Sequence, residues 1–126
     1  MKIELPWPDP KLNPNRSKGA HWSAGAALRK KARNDATWLT KGAMLQLMIE
    51  GAAFPVWEFE PIALSITFEQ PDKRHRDRDN LLAALKPSLD GVADAMGIDD
   101  SRFDPITIRR AYGNKPGRVI IEVSVE

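Results

Sequence analysis

Two rhythms of apolar residues divide the chain. Residues 2–6 alternate well enough to begin a strand, which Pro6 and Pro8 stop. From Trp7 to His21 there is no apolar period, and Pro, Asn and Lys dominate, so a long, basic, mobile loop is expected over 7–21. Ser23 is placed to cap a helix whose apolar positions include Ala27, Trp38, Leu39, Leu45 and Met48. Gly42 weakens that helix, Gly51 closes it and Pro55 lies beyond. Ile62, Leu64, Ile66 and Phe68 then alternate as in a half-buried strand. Leu81, Leu82, Leu85, Leu89, Val92 and Met96 recur at helical spacing over 80–96. Pro87 is expected to kink this helix or split it into two short ones, and Gly97 to end it. A strand at 106–112, a turn at 113–117 and a return strand at 118–125 predict a terminal β-hairpin. The order β-α-β-α-β-β places the chain in the α/β (α+β) class, with one small mixed sheet packed by two main helices.

The 126 residues fit one domain, 1–126, which buries a core without disulfide or metal staples. The absence of cysteine removes disulfides, thiol catalysis and Cys-based zinc sites, and fits a reducing interior. Two histidines, His21 and His75, argue against a multi-histidine zinc site. The first residues lack the apolar core of a signal peptide, and no apolar run approaches the ~20 residues of a membrane span. The expected address is the cytoplasm, with no membrane partner. The chain lacks a Gly-x-x-x-x-Gly-Lys loop, a Gly-x-Gly-x-x-Gly fingerprint and a Gly-x-Ser-x-Gly elbow, so no nucleotide cofactor is expected.

Charge changes the picture more by its placement than by its sum of +2. Residues 1–33 carry eight cations, Lys2, Lys11, Arg16, Lys18, Arg29, Lys30, Lys31 and Arg33, against Glu4 and Asp9, a net of +6. A second group, Lys73-Arg74-His75-Arg76-Asp77-Arg78-Asp79, sets two acids among bases. Arg109, Arg110, Lys115 and Arg118 form a third. Each group alone reads equally well as a solvated surface, whereas the three together point to a polyanion such as nucleic acid.

Asp77 and Asp79 are the first candidates for chemistry. In an extended segment, residues two apart project to one side, so their carboxylates converge and repel unless a cation lies between them. Mg²⁺ takes such oxygen ligands together with waters and phosphate. The competing reading is structural: a helix starting at Asn80 makes Asp79 its N-cap and Asp77 a surface acid. Asp99-Asp100, beyond the helix, is either a second half of the same site or an ordinary turn. Lys86, two helical turns after Asp79 on nearly the same face, either stabilises phosphate charge or orients a water, or else covers apolar surface with its stem. Asp90, four residues on, also offers Lys86 a helical salt bridge. His75, between arginines, reads as a DNA-facing or solvated residue.

These residues resemble one family. Leu5-Pro6-Trp7-Pro8, the loop ending His21-Trp22-Ser23, and Asp77-Arg78-Asp79-Asn80-Leu81 followed by Asp99-Asp100-Ser101 are similar, in that order and over nearly the whole chain, to the RusA family of Holliday junction resolvases. Leu-Pro-Trp-Pro alone is weak; with both acidic blocks it becomes specific. The resemblance implies a homodimer that binds four-way DNA junctions and makes paired, symmetric nicks with Mg²⁺ or, as a substitute, Mn²⁺. The family's essential carboxylates match Asp77, Asp79 and Asp100, while Asp99 and Asp90 match further acids, Asp99 being an additional metal-ligand candidate. The basic residue before the first aspartate corresponds to Arg76. One position departs: the family's lysine falls at Ala83, and a three-residue insertion, Ala83-Ala84-Leu85, brings Lys86-Pro87 to the equivalent place. Three residues are close to one helical turn, which keeps the lysine on its face.

The implied chemistry is metal-assisted phosphodiester hydrolysis, with Asp77, Asp79 and Asp100 as metal ligands and Lys86 stabilising developing charge. Lys11, Arg16, Lys18, Arg29, Lys30, Lys31, Arg74 and Arg76 are expected to grip phosphates without reading sequence. A two-fold dimer offers one site to each opposing strand, with the first helix and the terminal hairpin as candidate interfaces. The alternatives are a less selective Mg²⁺ nuclease of flaps and other branched DNA, and a non-catalytic DNA-binding module whose aspartates serve as caps and turns.

Overall fold

The computed structural model describes residues 1–13, 25–51 and 61–125. Strand β1 is Lys2–Pro6, helix α1 Ala26–Ile49, strand β2 Ile62–Gln70, helix α2 Arg78–Met96, strand β3 Phe103–Tyr112 and strand β4 Arg118–Val125. Single 3₁₀ turns precede α1 at Pro10–Leu12 and β3 at Asp100–Arg102. The expected β-α-β-α-β-β order is the observed one. The strands form one mixed sheet in the order β1-β4-β2-β3, with β2 and β3 parallel and the other pairs antiparallel. The terminal β–turn–β is present, but its arms are parted: β2 lies between β3 and β4, so each arm bonds β2 rather than the other. The cause is the β2–α2–β3 crossover, which lays β3 beside β2 on the flank away from β4.

Alternation along the strands sorts the sheet into two faces. Ile3 and Leu5, Ile62 through Phe68 at every second residue, and Val119, Ile121 and Val123 point inward and are buried. Leu81, Leu85, Leu89, Val92 and Met96 of α2 close over them in one apolar cluster. The other face is polar, and there Arg118 ties three strands by donating to Glu69 (2.5 and 3.3 Å) and Glu4 (2.9 Å).

Of the two outcomes expected at Pro87, the split into two short helices does not occur: α2 runs as one helix through it to Gly97, where φ of +71° supplies the left-handed C-cap. The expectation for α1 is corrected. The apolar positions assigned to the buried face of α1 point outward instead: Trp38 is 72% exposed and Leu45 56%, and Ala27, Leu39 and Met48 are also exposed. The buried face carries Ala36 and Thr40, with Ala43 and Met44 packed beside the core. The reason is the tightness of the crossing over α2. A Cβ added at Gly91 would lie 2.2 Å from the Arg33 carbonyl oxygen and 3.0 Å from Ala36 Cβ, so only small residues fit there. Arg33 clamps the crossing with two bonds to Asp94 (2.6 and 2.9 Å), and Thr37 donates to the Gly91 carbonyl (3.1 Å). Ser23, the expected cap of α1, and most of the expected loop, including Arg16 and Lys18, lie outside the described residues. Among those described, no helix is long and apolar enough to cross a membrane.

The two helix glycines therefore have opposite roles. Gly91→Ala forces the helices apart and is expected to lower stability by about 1–3 kcal/mol despite alanine's better helix propensity. Gly42, exposed with open space around its Cβ position, is expected to gain about 0.5–1 kcal/mol on replacement by alanine. Urea unfolding of both variants, read from midpoints at constant slope, checks the two signs together.

Candidate active site

Strand register gathers three connections at one end of the sheet. Arg118 pairs with both Pro6 and Glu69, and Gln70 pairs with Tyr112, so the carboxyl ends of β1, β2 and β3 lie side by side. In sheets with parallel crossovers such an end is where ligand sites are built. Here β1 runs on into Trp7-Pro8, β2 into residues 71–77, and α2 begins. Between them lies a cavity of about 420 Å³, whose walls include Trp7, Pro8, Asn13, Arg74, Arg76 and Asp77.

The segment leaving β2 is held from several sides. The Trp7 ring meets Phe68 edge-on (centroids 6.1 Å apart, 81° between planes), and the Arg76 guanidinium lies over Trp7 at 5.4 Å. Arg76 also donates to Asp72 (2.8 and 3.4 Å), and the Arg74 backbone N–H donates to the same carboxylate (2.9 Å). These bonds hold the Asp72 carboxyl down at about 2, with the Arg76 side chain the larger cause. Buried Gln70 donates its amide to the Arg74 carbonyl (3.2 Å), and Arg110 of β3 donates to the Arg76 carbonyl (2.7 Å).

The first acidic pair follows directly. Helix α2 starts at Arg78, two residues earlier than expected, so Asp77 rather than Asp79 occupies the N-cap position, and its side chain makes no capping bond. Asp79 lies in the first turn, where the helix macrodipole favours negative charge. Both carboxylates are exposed and line one depression together with His75, Arg78, Asn80 and Arg110. His75 Nε2 stands 3.2 Å from Asp77 Oδ1. Two oxygen ligands in one open depression suit Mg²⁺, which commonly takes one or two carboxylates and completes its shell with water and phosphate.

Asp100 is placed differently. It precedes β3, whose first residue Phe103 pairs with Ile62 at the far end of β2 from Gln70. Its carboxylate accepts from the Lys86 ammonium, which also donates to Asp90 (2.9 Å), the helical salt bridge expected from the spacing. Lys86 holds the Asp100 carboxyl below its ordinary value, with Asp99 contributing, and Asp100 followed by Asp90 raises Lys86 in return. Asp99 caps the 3₁₀ turn by accepting from the Ser101 N–H (2.9 Å). Among the described residues no group of three or more His, Asp or Glu stands close enough together to hold a metal ion. Within one chain, Asp77 and Asp79 are brought together, and Asp100 is brought to Lys86.

The chain aligns with an uncharacterized protein of Xylella fastidiosa (strain Temecula1) at 34% identity over 127 residues, covering 98% of this chain and 76% of that protein. The chain belongs to that protein's family. No family model matches it.

Of the cations expected to meet phosphate, Lys11 and Arg29 border a depression shared with Lys86 and Asp90. Lys30 and Arg74 are exposed, and Lys31 pairs with Asp35 (2.6 Å). Arg76 is engaged by Asp72 and Trp7, which makes it an organiser of the loop more than an open phosphate contact. Reasoning from sequence did not place Trp7 or Arg110 in the site. Trp7 was visible only as part of Leu-Pro-Trp-Pro, and Arg110 only as one of several late cations.

The Asp72–Arg76 contact has a defined pH signature. The native carboxyl lies below its ordinary 3.8, so ionisation favours the fold. The contribution is complete above about 4 and disappears as pH falls through about 2. Wild type should melt above Asp72→Asn by a constant margin from pH 5 to 7, and the margin should narrow steadily as pH falls from about 4 to about 2. Calorimetry across that range reads it.

Proposed function

We propose that the chain is a Mg²⁺-dependent DNA endonuclease, similar to the RusA resolvases, that nicks four-way junctions as a homodimer, with Asp77 and Asp79 as its principal metal-binding carboxylates. The observation carrying this reading is the meeting of Trp7-Pro8 with the 74–80 block: segments far apart in sequence wall one cavity that opens beside two exposed carboxylates. Bound Mg²⁺, or Mn²⁺ in its place, would lower the pKa of a water and neutralise the attacked phosphate. The chain's own residues supply the rest. Asp77 and Asp79 offer the oxygen ligands, and Arg74, Arg110, Lys11, Arg29 and Lys30 offer cations to the backbone of the arms. Lys86, between Asp90 and Asp100, adds a further cation on the α2 face that carries Asp79. The outward apolar residues of α1, Trp38, Leu45 and Ile49 among them, supply a surface suited to the partner subunit.

Cleavage of a labelled four-way junction and its linear duplex, with Mg²⁺ and with EDTA, tests the reading. Paired Mg²⁺-dependent nicks on the junction alone are expected, with Asp79→Asn reducing the rate by more than about 100-fold while junction binding persists. Equal cutting of flaps would make the enzyme a general branched-DNA nuclease, and binding without cutting in any divalent metal would leave a DNA-binding module.

Asp100→Asn separates two uses of that residue. Loss comparable to Asp79→Asn would place Asp100 at the metal when DNA is bound. Near-normal cleavage would leave it as the partner of Lys86.

A further inference from the structure

Arg110 stands out among the late cations because of where β3 puts it. It pairs with Phe68 across the parallel ladder, at the end of the sheet where the acid pair lies. Its Nη1 donates to the Arg76 carbonyl (2.7 Å), a bond that spans 34 positions of sequence and joins β3 to the segment carrying Asp77. It lines the same depression as Asp77 and Asp79, yet among the described residues it forms no ion pair with either. A guanidinium has five donors in a fixed fork, and the carbonyl takes only one of them. Arg76, by contrast, is held by Asp72 and Trp7.

Two carboxylates repel a phosphodiester that approaches them, so a site built around the pair gains from a fixed cation at its edge. A residue on a strand, already tied to a carbonyl, loses less freedom on binding than a surface lysine. We propose that Arg110 is a phosphate-anchoring residue of the acid-pair site, its guanidinium held by the Arg76 carbonyl and its remaining N–H groups taking the non-bridging oxygens of one DNA phosphate beside Asp77 and Asp79. The proposal rests on the nucleic-acid reading of this site and adds a residue, and a contact, to it.

The test uses binding alone. A four-way junction carrying a single neutral methylphosphonate, moved stepwise along one strand, is titrated in EDTA with wild type, Arg110→Ala and Arg110→Gln; the glutamine keeps an N–H donor and removes the charge. Wild type should lose roughly three- to tenfold in affinity when one particular phosphate is neutralised. Both variants should be indifferent at that position while keeping the wild-type losses elsewhere, and their salt slopes should fall by about one for each phosphate released. Variants that bind more weakly but keep the wild-type profile at every position would make Arg110 a strut for residues 74–77 and overturn the proposal, as would a wild-type profile without any sensitive phosphate. If wild type shows the expected position but cuts no junction with Mg²⁺, the nuclease reading falls and the anchor stands. Absence of junction binding removes both.

Discussion

Strand β2 is hydrogen-bonded on both flanks, parallel to β3 and antiparallel to β4, and its inward side chains Ile62, Leu64, Ile66 and Phe68 are at most 1% exposed. A strand so placed cannot slip by one residue without turning its whole apolar set to the open face. The point where β2 ends is thereby fixed, and with it the point where residues 71–77 leave the sheet. The connection from β3 to β4 is built around that end. The Gly113 N–H donates to the Gln70 carbonyl (2.8 Å), and Gly117, at φ +79°, passes where a Cβ would stand 3.0 Å from the Glu69 carbonyl oxygen. The parted terminal strands and the site at their closed end are consequences of one central strand.

Around that end the charges are arranged unevenly. Arg76 is answered by Asp72 and Arg118 by Glu69 and Glu4, while toward the opposite end of β2 Asp100 is answered by Lys86. Asp79 has no ion-pair partner among the described residues, and Asp77 has only a histidine. The ordering contacts therefore engage Arg76 and Arg118, and among the described residues neither Arg78 nor Arg110 of the same depression forms an ion pair with the first acids, which stay open at the start of α2, where the helix field tolerates them. An open pair of carboxylates is where an added cation gains most, whereas the Asp90–Lys86–Asp100 group already contains one.

Helix α1 follows a different logic. Its packed side is a seam of small residues because Gly91 lets the two backbones approach, and the larger apolar side chains are displaced to the outer face. Apolar content alone predicted the reverse. Periodicity marks which residues share a face, but which face is buried depends on how closely the neighbouring helix comes.

The sequence by itself determined the elements and their order, because alternation and helical spacing are local properties of the chain. The inward face of β2, the register of α2, the Gly97 stop and the Lys86–Asp90 pair were all legible in this way. The candidate acids were legible as a pair only on the assumption of an extended segment; that they line one depression although Asp79 lies inside α2 is a finding of the structure. Only the tertiary structure decided what depends on contacts distant in sequence: β2 between β3 and β4, Trp7 against Arg76, Arg110 at the acid pair, Asp100 with Lys86 rather than with Asp79. Such contacts follow from strand order and helix crossing. Those are set by how the whole apolar set packs at once, a property that no window of the sequence contains.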